Sequence, residues 1–578
     1  MAGRVPGPRG GSLDLADLPY SASKLRGGYY TPPVISRFLA EWAIRSADST
    51  VLEPSCGDGA LVAPAADLLD DRGKLVAVEL FATEAEKAAR QEYASTEVVN
   101  GDVFTWYRGR QLDHSFDAVI GNPPFIRYQS FPEELRVPGF RLMNEEGLRP
   151  TRLTNAWVPF VVLATRALRP GGRLALVLPA ELLQVSYAGE LREYLTGKYS
   201  HLTIVTFRHL VFNNVQQETI LLLGIRGDGG GTRISFVELD DPGQLDEQHM
   251  EAGRRLEVDL DHGREKWTQY YLTPGELGLI RDIEASNAFA TLGEMADVDV
   301  GVVTGRNEFF VLSPSQAKAL GVEEYCRPLV GRSAQIPGLA LRHTDWSQLA
   351  EADSRCLLMQ PGPRDRGALS AAALSYVRQA EAVGLHQGYK CRIRSPQWWN
   401  VPSVWSPDAF LLRQIHDGPR IIINRAAATC TDTIHRIRVK GDTTPEWLAA
   451  ASMNSLTFAF SEIRGRSYGG GVLELEPTEA EALPFPRQSG VLPLEELDLW
   501  ARRKDPDQVL DEVDRLVLTS AGLGGDELRT LRDIWRKLSN RRLDRKRRQA
   551  SPSPAASAAH ELCAGRAAYR SADSATRR

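Results

Sequence analysis

The chain has 578 residues, a formal net charge of −5, and hydrophobic and charged fractions of 43% and 25%, the proportions of an ordinary globular protein rather than of a disordered or membrane-embedded one. That length exceeds what one core organises, so two or more domains are expected. No apolar run reaches a membrane span, and the scattered cysteines, with no CxxC pair, exclude a disulfide framework and a structural zinc and point to a reducing, cytoplasmic setting.

Residues 1–19, rich in Gly, Pro and Arg, lack the apolar segment of a secretory signal and are expected to be disordered. Gly28-Tyr29-Tyr30-Thr31-Pro32 leads into an amphipathic helix. Thr31 suits its N-cap, Pro32 its first turn, and Ile35, Phe38, Leu39 and Trp42 share one face. Val51–Pro54 reads as a short strand, followed by the glycine turn Ser55-Cys56-Gly57-Asp58-Gly59 and a helix. That is a nucleotide-type first βα unit, whose glycines let backbone approach a ligand closely. A second strand, Leu75–Glu79, ends in an acid twenty residues past Gly59, the spacing of a carboxylate that holds ribose hydroxyls. Alone, a GxG pair is an ordinary turn; the spaced acid is what favours a ligand. A third strand, Val98–Asn100, runs into Gly101-Asp102-Val103, with Asp102 a candidate acceptor for an adenine amino group. Leu61 and Val62 stand where a dinucleotide fingerprint has its third glycine, so NAD is disfavoured and a smaller adenosine ligand fits better.

Phe116–Val119 reads as a buried strand and continues into Ile120-Gly121-Asn122-Pro123-Pro124-Phe125. Ligands of open α/β sheets bind at the carboxyl ends of strands. Two prolines remove two donors and leave carbonyls to accept, Asn122 adds an amide oxygen, and Phe125 adds a flat face. Together they suit a grip on a planar group that carries an NH2. The competing reading is a strand-ending Asn-Pro turn.

Taken in order, Gly28-Tyr29-Tyr30-Thr31-Pro32, Leu52–Gly59, Glu79, Asp102 and Asn122-Pro123-Pro124-Phe125 resemble the motifs of the gamma-class, TaqI-like DNA adenine methyltransferases of restriction-modification or phage-defence type. The resemblance continues through Asn155-Ala156-Trp157, which opens a helix to Leu168, the turn Arg169–Gly172 and the apolar strand Leu174–Leu178. It extends to the strands His201–Phe207 and Thr219–Ile225 and the loop between them that holds Phe212. It implies an α/β fold: a Rossmann-like class I methyltransferase domain over 20–240, a mixed α+β DNA-recognition domain over 241–490, a C-terminal helical segment over 491–548 and a disordered tail over 549–578. It implies S-adenosyl-L-methionine held by Thr31, Glu53, Cys56, Gly57, Gly59, Glu79, Asp102 and Val103. It implies transfer of a methyl group to the N6 amine of an adenine flipped out of double-stranded DNA. The amine would be gripped by Asn122 and the Pro123 carbonyl within the Asn122-Pro123-Pro124-Phe125 turn, and the base stacked between Phe125 and Phe212. Position 125 is Phe where the commonest form of the motif has Tyr, so a stacking role survives and a hydroxyl role does not.

In the second half, Gly227–Gly231 is expected to end the first domain's strands, with an acidic, irregular linker that carries strand pieces over 236–267. Leu277–Ile283 reads as a helix, Val298–Phe310 as a strand into a tight turn, and Arg420–Asn424 and Thr431–Arg438 as strands. Lys390–Lys440 holds nine Lys and Arg against three Asp, a local +6 suited to phosphates. Within and beside it, Arg392, Arg394, Trp398, Trp399, Arg425, His435 and Arg436 are candidate DNA contacts, by phosphate, base edge or stacking. The competing reading of Trp398 and Trp399 is a small core beneath exposed arginines. His435 has no metal-ligand neighbours at ligand spacing, and no metal site is expected. Pro506–Leu518 and Glu527–Arg545 read as a helical pair broken at Gly522–Gly525, the second ending in the cationic run Arg541–Arg548, which either touches phosphates or is solvated. No nuclease constellation is evident, so cleavage is assigned to a separate restriction endonuclease or defence subunit, and the chain itself is expected to be a monomer without membrane contact. Two other readings stand beside this one: a related Asn-Pro-Pro methyltransferase acting on RNA or protein glutamine, and a DNA-recognition subunit without catalysis.

Overall fold

The computed structural model describes residues 31–549 apart from Glu92, 212–217, 228–230, 252–253, 256–259, Asp417, Gly469, 488–490 and 504–505. The stretches expected to lack structure, 1–19 and 549–578, lie outside the described residues except for Gln549, as do Gly28-Tyr29-Tyr30 and Phe212. Two compact units divide between Glu265 and Lys266.

The first unit is built on one sheet of nine described strands: β1 (Thr50–Glu53), β2 (Lys74–Glu79), β3 (Thr96–Asn100), β4 (Phe116–Gly121), β5 (Leu168–Pro179), β6 (Tyr199–Phe207), β7 (Thr219–Arg226), β8 (Arg233–Leu239) and β9 (Arg254–Arg255), in the order β3-β2-β1-β4-β5-β7-β6-β8-β9. β3, β2, β1, β4 and β5 are parallel, whereas β7 lies antiparallel between β5 and β6. Parallel strands are covered on both faces, which is why Leu75–Val78 and Leu174–Leu178 are continuous apolar runs rather than alternating ones. Helix α1 (Pro33–Ala43) lays Ile35, Phe38 and Leu39 against Val51, Leu75, Ala77, Ala118 and Ile120. Each such side chain taken from water contributes about 1.5–3 kcal/mol.

Strand order reverses at β1: β2 and β3 lie to one side, β4 and β5 to the other. The crevice at the carboxyl ends of β1 and β4 is the ligand position of a doubly wound sheet. Glu53, Glu79, Asn100 and Asn122 stand at or just past the ends of β1, β2, β3 and β4.

Three boundaries differ from those expected. Arg169–Gly172 forms no separate turn; it belongs to β5, whose pairing with β4 shifts register beside it, because helix α2 (Trp157–Ala167) already ends at Ala167. The strands do not end at Gly227–Gly231 either. β8 follows and pairs in parallel with β6 from His201↔Arg233 to Phe207↔Leu239, since Ile234, Phe236 and Val237 supply another apolar strand for the open edge. Residues 241–265, expected in the second domain, fall in the first unit, where the buried Arg192 guanidinium donates to His262 O.

The second unit centres on a five-stranded sheet: β10 (Ala296–Val300), β11 (Ala340–Leu341), β12 (Ala409–Leu412), β13 (Ile421–Asn424) and β14 (Ile434–Val439), in the order β10-β14-β12-β13-β11. A separate aromatic cluster gathers Phe309, Phe310, Leu358, Trp398 and Trp399. The C-terminal helices do not stand apart. Helix α3 (Ser455–Arg464) packs against helix α4 (Gly525–Gln549), and Arg532 reaches Ser455 and Asp514. Among the described residues no helix is long and apolar enough to cross a membrane.

Candidate active site

The glycine turn leaves β1 at Glu53 and bends at Gly57 (φ +55°) and Gly59 (φ +95°). At Gly59 a side chain would also meet Ala88 at 3.3 Å, so glycine serves both conformation and packing there. Glu79 braces the turn from the next strand. One of its carboxylate oxygens accepts from Gly57 N at 2.9 Å, the other from Phe81 N at 2.8 Å. The turn is tied back again where Cys56 N donates to Val78 O at 3.0 Å. Asn100 Nδ2 donates to the carbonyls of Glu79 and Leu80, fixing the end of β2. Asp102 caps the following helix with one oxygen, which accepts from Thr105 N at 2.9 Å; its other oxygen carries no hydrogen bond among the described residues. Val103 is buried in that helix's first turn.

The site is acidic. Glu53 is 1% exposed, and its Oε2 is buried with no hydrogen-bond partner among the described residues. Burial, with repulsion from Glu79 and Asp58, holds its carboxyl well above the usual carboxylate range. Burial also raises Glu79, while its two backbone N–H partners pull it back down. Buried carboxylates without a cation are strained electrostatically, and a cationic ligand relieves them.

Asn122 follows β4 directly. A side chain at Gly121 would crowd Pro54 at 3.3 Å, which places the β4 exit close beside the β1 exit. Asn122 Nδ2 donates to Thr31 Oγ1 at 3.3 Å, and Ser55 Oγ donates to Asn122 O at 3.4 Å. Thr31 therefore does not cap the first helix as expected. Pro32 holds the cap position without a side-chain bond, and the threonine hydroxyl faces Asn122 instead. Pro123 is buried, Pro124 and Phe125 are half-buried, and Phe125 packs against the sheet's core. The structure thus brings Thr31, Glu53, Cys56, Gly57, Gly59, Glu79, Asn122 and Phe125 to one edge of one sheet.

Sequence reasoning missed a second set of residues on that edge. Tyr128 N donates to Asn155 Oδ1 at 3.1 Å, and Asn155 Nδ2 donates to Glu181 Oε2 and to Tyr187 Oη, both at 2.9 Å. Tyr187 Oη in turn donates to Glu181 Oε2 at 2.7 Å. The available signal was Glu181 itself, a lone acid just past the apolar end of β5.

Residues 15–298 match the N-6 DNA methylase family model, and residues 264–518 match the C-terminal domain of the type II methyltransferase M.Eco57I. Residues 15–298 belong to the N-6 DNA methylase family. Type II methyltransferase M.AccI of Acinetobacter calcoaceticus is 20% identical to it over 470 residues, 78% of this chain and 83% of the relative. M.XamI of Xanthomonas campestris pv. amaranthicola is 23% identical over 488 residues, 80% and 85% respectively. Among solved structures, the type IIL restriction-modification enzyme MmeI in complex with DNA is similar in fold, with a TM-score of 0.54 at 11% identity over 88% of this chain and 75% of that one.

In the second unit of this methylase, the residues read as DNA contacts divide. Trp398 and Trp399 do not stack on bases: they are buried, Trp399 to 1% exposure, and Trp398 packs its ring 4.8 Å from Phe309. His435 is wholly buried, with its Nε2 2.7 Å from Leu475 O, and burial lowers its pKa. Arg436 is buried as well, donating to Val300 O and Ser403 O beneath the Trp405 ring. Arg394 is half-buried and donates to Val303 O and Thr304 O. These five roles are withdrawn or made structural for one reason: strand and turn geometry turned the side chains inward, where backbone carbonyls take the donors of Arg394, Arg436 and His435 Nε2, the Trp398 indole donates to Glu381, and the Trp399 ring packs against that of Trp398. Arg425 is exposed but paired with Glu495 at 2.5 Å. Arg392 stays exposed, on the short helix Tyr389–Arg392 beside Tyr389, 65% exposed, and Ile393, 61% exposed. In the C-terminal cationic run, Arg541 stacks on Tyr271 and Arg542 is buried against Glu462, so neither is a simple solvated charge.

Proposed function

We propose that the chain is a gamma-class, site-specific DNA methyltransferase that uses S-adenosyl-L-methionine to methylate the N6 amine of an adenine flipped out of double-stranded DNA, as the modification component of a restriction-modification or phage-defence system. The single observation that carries the reading is the convergence of Asn122, at the end of β4, with the glycine turn and Glu79 at the ends of β1 and β2. The DNA reading is preferred over RNA or protein glutamine because both matched family models describe DNA-modification methyltransferases.

The cofactor supplies an electrophilic methyl group on a sulfonium centre. The residues fit it: an unpartnered buried carboxylate oxygen on Glu53 suits a cationic group, and the Glu79 carboxylate, held by Gly57 N and Phe81 N, has lone pairs left for ribose hydroxyls. Asn122 and the Pro123 carbonyl act on the adenine. Its amine is a poor nucleophile because the lone pair is delocalised into the ring. Two acceptors on the amine hydrogens favour a pyramidal nitrogen with that lone pair exposed. Engagement of Asn122 Nδ2 by Thr31 sets which way the amide oxygen points. Catalysis then rests on positioning and preorganised electrostatics rather than on a strong base. Phe125, with Phe212 as its proposed partner, stacks the base and offsets part of the unstacking cost, at ~1–3 kcal/mol per contact.

The test is methylation-sensitive long-read sequencing of DNA from cells with and without the chain. Methylated adenine in one fixed motif supports the reading. Absence of any new methylated base overturns it.

A further inference from the structure

Beside the Asn122–Phe125 turn lies a surface crest that the mechanism above leaves unused. Arg127, Arg149 and Arg152 are exposed and carry no ion pair among the described residues, and Leu153, between Arg152 and the buried Thr154, is 64% exposed. Neighbouring arginines differ: Arg141 pairs with Glu145, and Arg166 with Asp113 and Glu145. The crest is braced. Thr151 N donates to Thr154 Oγ1 at 2.9 Å, and Leu153 N donates to Thr151 Oγ1 at 3.2 Å. It is also stapled to the exit of the turn, where Ala156 N donates to Ile126 O at 2.9 Å and Tyr128 N to Asn155 Oδ1 at 3.1 Å. Glu181 and Tyr187 hold the Asn155 amide, so the staple has one orientation.

An exposed leucine alone is ordinary. This one sits on a braced crest, among arginines whose side chains carry no ion pair among the described residues, with Arg149 N tied to Glu190 Oε2 at 2.7 Å, and it lies four residues before a helix whose N-cap is bonded to the exit of the base-gripping turn. Extruding a base leaves a gap in the stack, and proteins that open base steps fill them with apolar side chains while cations hold the flanking phosphates. We propose that Leu153 enters the duplex where the target adenine leaves it, with Arg127, Arg149 and Arg152 on the adjoining phosphates. The inference rests on the adenine-flipping reading.

The experiment uses the full chain, S-adenosylmethionine and two duplexes containing the methylated motif found by sequencing: one fully paired, one with an abasic site opposite the target adenine. Leu153→Ala is expected to methylate the paired duplex about tenfold more slowly than the unaltered chain, with the deficit shrinking to about twofold on the abasic one, where pairing is already lost. Replacing Arg149 and Arg152 together by Ala should lower the salt slope of binding by about 2. Equal rates on the paired duplex, or an equal deficit on both, overturn the role of Leu153; an unchanged salt slope overturns the phosphate contacts. If the unaltered chain methylates neither duplex, the adenine reading falls and takes this inference with it.

Discussion

Asn122 and Thr31 lie 91 positions apart in the chain, yet the amide of one donates to the hydroxyl of the other across 3.3 Å. An amide that must present its oxygen to a substrate gains a defined orientation when its nitrogen is held. Thr31→Val keeps the shape and removes the acceptor. Methyl transfer should slow by roughly fivefold, the worth of one net hydrogen bond, with KM for DNA little changed. Asn122→Ala should abolish turnover and leave cofactor affinity within about threefold. Single-turnover kinetics and equilibrium cofactor titration check both; a normally active Asn122→Ala would remove the proposed grip.

Glu53 predicts an opposition between stability and binding. Its folded carboxyl lies well above the unfolded value of about 4.3 because it is buried near Glu79 and Asp58. The folded protein without cofactor therefore holds a proton that the unfolded chain has released. Stability is full below the unfolded pKa and falls as pH rises towards the folded one. Glu53→Gln should flatten that fall and raise the cofactor-free Tm at neutral pH. It should also weaken S-adenosylmethionine, whose affinity for the unaltered chain should rise with pH over the same window. Melting curves and titrations from pH 5 to 8 measure both.

The brace from Glu79 to the glycine turn makes a different prediction. Glu79→Gln puts an NH2 where a second acceptor stood, opposite either Gly57 N or Phe81 N. One backbone donor then lacks a partner, which costs about 1–3 kcal/mol. Cofactor affinity should drop by roughly tenfold or more, and thermal stability should fall with it. Full affinity in the variant would separate the carboxylate from the cofactor.

The inward placement of Trp398 and Trp399 changes what their variants should do. Trp399→Ala should destabilise the second unit by about 3–5 kcal/mol and reduce soluble yield, as the loss of any large core side chain does. Arg392→Ala should leave the melting temperature alone, lower DNA affinity and flatten its salt dependence. A Trp399→Ala protein that is fully stable and merely binds DNA less well would restore the stacking role.

Arg542 and Glu462 form a pair whose side chains are 1% and 4% exposed, and Arg542 also donates to Gly471 O at 2.6 Å and His416 O at 3.0 Å. Arg542→Ala strands a buried carboxylate and should cost about 3–5 kcal/mol, whereas the double replacement Arg542→Met with Glu462→Leu should recover most of it. Chemical denaturation of the three proteins decides.

The first unit was readable from residues because its signals are local. Apolar runs of strand length, a glycine turn, an acid at fixed spacing and an Asn-Pro-Pro turn each declare themselves within a few residues, and connectivity in a parallel sheet sends their strand ends to one edge. β8 was legible only as a piece of strand in a linker, because its apolar run leads straight into Glu238, Asp240 and Asp241; the open edge beside β6 makes it a member of the sheet.

What the amino-acid sequence determined by itself was the order of the βα units, the strand-end residues and the family they belong to. Tertiary structure alone decided which polar and aromatic side chains face water. Trp398, His435 and Arg436 look like ligand-binding residues in a string of letters, but they are satisfied by Phe309, Leu475 O and Val300 O, partners 40 to 136 positions away. Such pairings are set by how strands register and pack, not by neighbours in the chain. The same packing joined Thr31 to Asn122 and left Leu153 exposed beside Arg149 and Arg152, whose side chains carry no ion pair among the described residues.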